Sequence, residues 1–163
     1  MGLNCKKVYL LLGSNLGDRQ ELLRKAEVEI GWKIGVVFAR SSVYQTAAWG
    51  NQNQPAFLNI ALGVETALDP FSVLRHALEI ERSLGRNRTD KWGARLIDID
   101  IIFYGNEVIR EQDLSIPHPH MQHRRFVLEP LAEIAPDHLH PVLHQKVSDL
   151  LADLADDLMV SKI

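Results

Sequence analysis

Residues 95–104 read Arg95-Leu96-Ile97-Asp98-Ile99-Asp100-Ile101-Ile102-Phe103-Tyr104, a strand-forming run with two acids set into it in alternation. Side chains two apart on a strand share a face, so Asp98 and Asp100 point together one way while Ile97, Ile99 and Ile101 point toward a core. Two carboxylates side by side repel each other. A hard divalent cation removes the repulsion, and Mg²⁺ is usually held by one or two carboxylates together with phosphate oxygens and water. A half-exposed antiparallel strand facing water also accommodates acids, although Asp is depleted in strands and two in alternation are unusual.

Arg86, Arg88, Lys91 and Arg95 precede the strand, in a loop that also holds Gly85, Trp92 and Gly93. Cations beside a metal–carboxylate site suit a polyphosphate, whose oxygens accept both kinds of partner. Like charges flanked by glycines repel until such a ligand organises them, so residues 85–95 are expected to be mobile alone and to close over it.

The chain has 163 residues, 46% hydrophobic and 24% charged, which suits one soluble domain over 1–163. A net charge of -3 argues against nucleic acid or a membrane as a partner. Cys5 is the one cysteine, which excludes an intramolecular disulfide and a Cys-based metal cluster. The first apolar run is too short for a signal peptide or a membrane span, so a cytoplasmic setting is expected.

Outward from the acidic strand, the elements follow from local patterns. Val8 to Leu12 reads as a buried strand ending at Gly13-Ser14-Asn15, a turn whose amides could meet a phosphate but which lacks the P-loop lysine. Asp18 with Glu21 resembles a capping box, and the helix behind it buries Leu22, Leu23, Ala26 and Ile30 before Gly31 or Gly35 ends it. Val36 to Tyr44 reads as one strand. Thr46 to Ala56 is a polar loop carrying Trp49, long enough to be functional. Phe57 to Glu65 alternates, with Leu58, Ile60, Leu62 and Val64 on one face and Phe57, Asn59, Ala61 and Gly63 on the other. The second face either packs on another element or floors a pocket with Asn59 as its polar reader. Asp69-Pro70 opens a helix to Leu84 with Val73, Ala77 and Ile80 buried, and Glu81 falls on its buried side and needs a partner, with Arg95 the expected one.

Beyond Tyr104, a Gly105-Asn106 turn returns Val108-Ile109 as a short strand. His118, His120 and His123 then crowd into six residues, but prolines interrupt the run and thiolates are missing, so hydrogen bonding to phosphate or ribose beside Arg124 fits better than zinc. A helix from Val147 to Leu158 closes the chain. The order strand, helix, strand, strand, helix, strand is the split βαβ plan of ferredoxin-like α+β folds, an antiparallel sheet covered on one face by helices.

Taken together, Gly13-Ser14-Asn15, Tyr44-Gln45-Thr46, Phe57-Leu58-Asn59, Gly85-Arg86, Arg88, Trp92-Gly93-Ala94-Arg95, Asp98-Ile99-Asp100, Pro117-His118 and Arg124-Arg125-Phe126 resemble the 6-hydroxymethyl-7,8-dihydropterin pyrophosphokinases of folate biosynthesis. The resemblance implies a ferredoxin-like fold and transfer of pyrophosphate from ATP to the hydroxymethyl group of the dihydropterin, with AMP released. It implies that Asp98 and Asp100 bind two Mg²⁺ ions. It also implies that Arg86, Arg88, Trp92, Arg95, Ile101, His118 and Arg124 hold the nucleotide, with Arg86, Arg88 and Arg95 sharing in catalysis. Thr46, Ala47, Trp49, Phe57, Asn59 and Phe126 then line the pterin pocket, the two phenylalanines stacking on its faces. The chain departs from the pattern at Ala47, Ala48, Leu78 and Pro119, and a monomer is expected. Two other classes fit the paired acids and the loops: a two-metal nucleotidyl transferase and a module that only senses a nucleotide.

Overall fold

The apolar run at Val8 lies within β1 (Lys6–Ser14), which is buried from Val8 to Ser14 because strands flank it on both sides and helices cover both faces. The computed structural model describes residues 4–46, 56–85, 96–155 and 159–163. Gly13 and Ser14 complete β1 instead of opening a phosphate-binding turn.

α1 (Arg19–Lys33) begins where Asp18 accepts the Glu21 N–H at 3.2 Å, while the Glu21 carboxylate turns to Arg24 and leaves the capping box half made. Leu23, Ala26 and Ile30 are buried, and the helix runs through Gly31 to stop before Gly35. The strand expected over Val36 to Tyr44 is two strands, β2 (Val36–Arg40) and β3 (Tyr44–Thr46). Ser41 makes the break: its hydroxyl accepts the Ala61 N–H at 2.9 Å, offering the backbone an alternative to the ladder. Both pieces pair with β4 (Phe57–Thr66), whose alternation is as expected: Leu58, Ile60, Leu62 and Val64 join one core cluster and Ala61 the other. α2 (Pro70–Ser83) starts at Asp69, whose carboxylate accepts the Phe71 and Ser72 N–H groups. β5 (Asp98–Tyr104) then pairs with the other side of β1.

The main sheet runs β5-β1-β4-β3-β8 with β2 also on β4, and every pairing in it is antiparallel. This is the α+β, ferredoxin-like arrangement. β6 (Ile109–Arg110) and β7 (Ser115–Ile116) form a separate hairpin, so Val108-Ile109 does not return onto the main sheet.

Coverage of one face only was expected, and the structure corrects this. One core cluster lies with Leu23, Ala26 and Ile30 of α1 and Val73, Ala77 and Ile80 of α2. A second packs Tyr9, Leu11, Ala61 and Phe103 against α3 (Arg125–Ile134) and α4 (Val147–Ala152). Pro130 sits inside α3, where burial of Val127, Leu128 and Leu131 outweighs one missing helical hydrogen bond. The final helix is shorter than expected, and β8 (Val160–Lys162) joins the sheet beside β3. Among the described residues no helix is long and apolar enough to cross a membrane.

The two glycines around the end of α1 give opposite expectations. At Gly31 an added methyl meets nothing within 4 Å, so Gly31→Ala should stabilise the fold by about 0.5–1 kcal/mol through helix propensity. At Gly35 the methyl would lie 2.0 Å from the Glu65 carbonyl oxygen, so Gly35→Ala should destabilise clearly. Denaturant unfolding of both variants checks this, and equal effects would contradict the placement of the helix end.

Candidate functional site

Antiparallel register places three residues in a row across the sheet. Asp98 of β5 stands opposite Gly13 of β1, and Gly13 stands opposite Asn59 of β4. Directly opposed residues share a face, so Asp98 and Asn59 flank a position without a side chain, roughly 10 Å apart at two strand spacings. A Cβ on Gly13 would come within 2.7 Å of Asn59 Nδ2. The next row on the same face is Asp100, Leu11 and Ala61, so both aspartates stand together as expected. The alternation that aims them holds through Ile101. Ile102 is then an extra residue, because Leu10 pairs with Ile101 and Tyr9 with Phe103.

On the Asn59 side, two buried polar atoms lack partners. Asn59 Nδ2 donates to the Leu12 carbonyl at 3.3 Å, but its Oδ1 has no hydrogen-bond partner among the described residues, and neither has Thr46 Oγ1. Buried polar groups are normally paired, so two orphans on one sheet face call for a polar ligand. Thr46 lies opposite Phe57, two residues before Asn59. Phe126, in the first turn of α3, packs against the core on this face, with the Arg124 guanidinium 5.8 Å from its ring. Glu133 locks α3 to the strand that carries Thr46: its carboxylate accepts the Tyr44 hydroxyl at 2.6 Å and the Ser42 N–H at 2.8 Å. Burial, then this bond, holds the Tyr44 hydroxyl well above its ordinary pKa, so it stays a donor.

On the Asp98 side, β5 and α2 enclose a cleft of about 640 Å³. Asp98, Asp100 and Asp113 bring carboxylates to it, and α2 contributes Phe71, Leu74, Arg75, Leu78 and Arg82. Two bonds fix its width. Glu81, 2% exposed on α2, accepts the Ile99 N–H at 2.8 Å, and the Tyr104 hydroxyl donates to the Leu68 carbonyl at 2.6 Å. Ile99 therefore turns its backbone to the outer edge of β5, and Ile101 has the same parity. The Ile101 side chain is buried in the core, so only its backbone groups are open to that edge.

His118 meets β5 further along, donating its N–H to the Ile102 carbonyl at 3.1 Å. It lines a neighbouring recess with Gln122 and His140, not the cleft of Asp98 and Asp100. Burial, then the positive charges of Arg124 and His120, push its imidazole down to about 4, so it is neutral at pH 7. Its Nδ1 accepts the His120 N–H at 3.3 Å, which assigns the ring proton to Nε2 as a donor. Among the described residues no group of three or more His, Cys, Asp or Glu is arranged to hold a metal.

Ala47, Ala48, Trp49, Arg86, Arg88, Lys91, Trp92 and Arg95 lie outside the described residues, and with them the lid reading and the pairing of Glu81 with Arg95. The described partner of Glu81 is a backbone N–H. Sequence reasoning missed Gly13 as the gap in the row and the cleft-facing side of α2. Phe71, Leu74 and Leu78, at spacings of three and four beside the buried stripe, were the available signal.

A family model described as 7,8-dihydro-6-hydroxymethylpterin-pyrophosphokinase (HPPK) matches residues 9–136. The chain is 44% identical over 132 residues to a 2-amino-4-hydroxy-6-hydroxymethyldihydropteridine pyrophosphokinase of Methylorubrum extorquens, covering 80% of this chain and 84% of that protein. A protein of the same name from Aquifex aeolicus is 42% identical over 142 residues, covering 87% of this chain and 88% of the relative. Among solved structures, Plasmodium falciparum HPPK-DHPS with pteroate matches with a TM-score of 0.74 at 18% identity, over 91% of this chain and 42% of that one. That likeness bears on the fold.

The Glu81 contact can be tested without any ligand. Glu81→Leu leaves the Ile99 N–H without its acceptor and should cost about 1–3 kcal/mol, whereas Glu81→Gln keeps a carbonyl oxygen there and should cost less. Denaturant unfolding reads both, and equal losses would show that the acceptor is not what matters.

Proposed function

The chain belongs to the 7,8-dihydro-6-hydroxymethylpterin-pyrophosphokinase family, and on that footing we propose how its residues carry out the reaction. The hydroxymethyl oxygen of 6-hydroxymethyl-7,8-dihydropterin bonds to the β-phosphorus of ATP and its proton passes to water, the bond from that phosphorus to the α–β bridging oxygen breaks, and AMP leaves. The pterin diphosphate formed serves folate biosynthesis.

The observation that carries the assignment of sites is the row Asp98, Gly13, Asn59. It sets a carboxylate pair and a recess with unmatched polar atoms roughly two strand spacings apart on one face, the layout that transfer between two bound substrates requires. Asn59 Oδ1 and Thr46 Oγ1 can take the polar edge of the pterin, whose N–H groups suit such acceptors. Phe57 and Phe126 supply flat apolar surfaces for its ring, and Ala47 and Trp49 are assigned to the same pocket.

The cleft between β5 and α2 takes the nucleotide, with Ile101 offering backbone groups at the strand edge. Asp98 and Asp100 fit Mg²⁺, since hard oxygen donors on one face of an edge strand are what it uses beside phosphates. Bound there, one or two ions would neutralise phosphate charge and polarise the transferring group. Arg86, Arg88 and Arg95 are assigned to the phosphates and Trp92 to the nucleotide. The nucleotide in this reading extends past the cleft to the neighbouring recess, where His118, neutral with its proton on Nε2, donates to one of its oxygens and Arg124 adds a fixed charge. Phosphoryl-type transfer asks mainly for positioning and charge stabilisation, so no Ser or Cys nucleophile is required. Residues 1–163 act as one domain in this reading, because β8 joins the sheet that contains β1, and that domain is assigned to work as a monomer.

The chain with ATP and Mg²⁺ should release AMP only when hydroxymethyl dihydropterin is present, and ADP as the product would overturn the proposal. In the same assay Asp98→Ala and Asp100→Ala should lower turnover by at least about a hundredfold, as loss of a major electrostatic group does, with unfolding unchanged. Asn59→Ala should weaken pterin binding by about 1–3 kcal/mol and leave ATP binding near the parent value by calorimetry.

A further inference from the structure

α2 carries two apolar stripes, and only one belongs to the core. Val73, Ala77 and Ile80 are buried, whereas Phe71, Leu74 and Leu78 line the cleft that holds Asp98 and Asp100. Phe71 is 48% exposed, a large aromatic face turned to a cavity rather than to packing. Its backbone is fixed: the Asp69 carboxylate accepts its N–H at 3.2 Å, and the Tyr104 hydroxyl holds Leu68 just ahead of the helix. At the other end of α2, Glu81 is bonded to Ile99, the residue between the two aspartates. Phe71 and Glu81 are ten positions apart on one helix, which is roughly 15 Å at 1.5 Å per residue. The cleft thus has the Asp98 and Asp100 carboxylates toward the Glu81 end of α2 and the Phe71 ring toward the other, with Arg75, Arg82 and Asp113 also lining it. A nucleoside triphosphate has the same polarity, with charge at one end and a flat heterocycle at the other.

We propose that Phe71 is a nucleotide-binding residue that stacks on the purine base, with Leu74 and Leu78 continuing the apolar wall toward the phosphates. This rests on the cleft being the ATP site. Stacking on an aromatic ring is worth a modest but measurable part of affinity, and it acts on the base while leaving the phosphates untouched.

The test separates base from phosphate. Phe71→Ala should raise the KM for ATP about three- to tenfold, the loss of one aromatic contact, with the KM for pterin, kcat and Tm unchanged. Inorganic tripolyphosphate, which has the charges and no base, should bind parent and variant equally by calorimetry with Mg²⁺. Phe71→Trp should restore ATP affinity. An unchanged ATP affinity in Phe71→Ala would overturn the proposal, and so would an equal loss for ATP and tripolyphosphate, which would make Phe71 part of the scaffold. If the parent binds ATP but releases no AMP, the transferase reading fails, and the two calorimetric comparisons still decide Phe71.

Discussion

Gly13 stands between Asp98 and Asn59 on three adjacent strands, and the site depends on that position carrying no side chain. Any other residue would place a Cβ 2.7 Å from the Asn59 amide, whose Nδ2 is already committed to the Leu12 carbonyl. Only because the amide is held there does Oδ1 remain in the recess as a buried acceptor waiting for a donor. The central strand therefore does two jobs. It pairs with β4 and β5 to bring both halves of the site together, and by lacking an atom it leaves room between them.

Around that row the structure is held by polar contacts at the edges of elements. Glu81 and Tyr104 fasten α2 to β5 at two levels, and Glu133 fastens α3 to β3. The Glu81 and Glu133 bonds join a helix to a strand, and the Tyr104 bond ties β5 to Leu68 just ahead of α2, so the two proposed substrate sites have separate supports. Glu81 brings a carboxylate oxygen to the Ile99 N–H and Glu133 brings one to the Ser42 N–H, and a hydrogen bond to an ionised acceptor is stronger than one between neutral groups. Neutral His118 is a donor without net charge and lies near Arg124 without adding to the repulsion.

What was legible in the sequence was what repeats with a local period. The alternation of β4, the acid pair of β5 and the Asp69-Pro70 start of α2 each declare themselves within a few residues, and the two faces of β4 separate as read. What was not legible depends on partners far along the chain. Ser41 divides β2 from β3 through a bond to Ala61, twenty residues on. Pro130 argues locally against a helix, and only a second core cluster on the far face of the sheet overrides it. β8 is three residues long and exists because β3 offers it an edge. For the buried Glu81, one contact is a backbone N–H eighteen residues away, which no side-chain pattern reveals. Gly13 reads as a turn glycine until its register with Asp98 and Asn59 is known.

The most direct measurement is pterin and ATP binding to Gly13→Ala, by calorimetry with Mg²⁺ and an unreactive ATP analogue. The added methyl meets the end of a flexible side chain, so the fold should persist while the Asn59 amide is displaced. Pterin affinity should fall about tenfold, the value of roughly one hydrogen bond, with affinity for the ATP analogue kept. Unchanged pterin binding, or an equal loss for both ligands, would contradict the claim that an empty position on β1 holds the two halves of the site apart and in register.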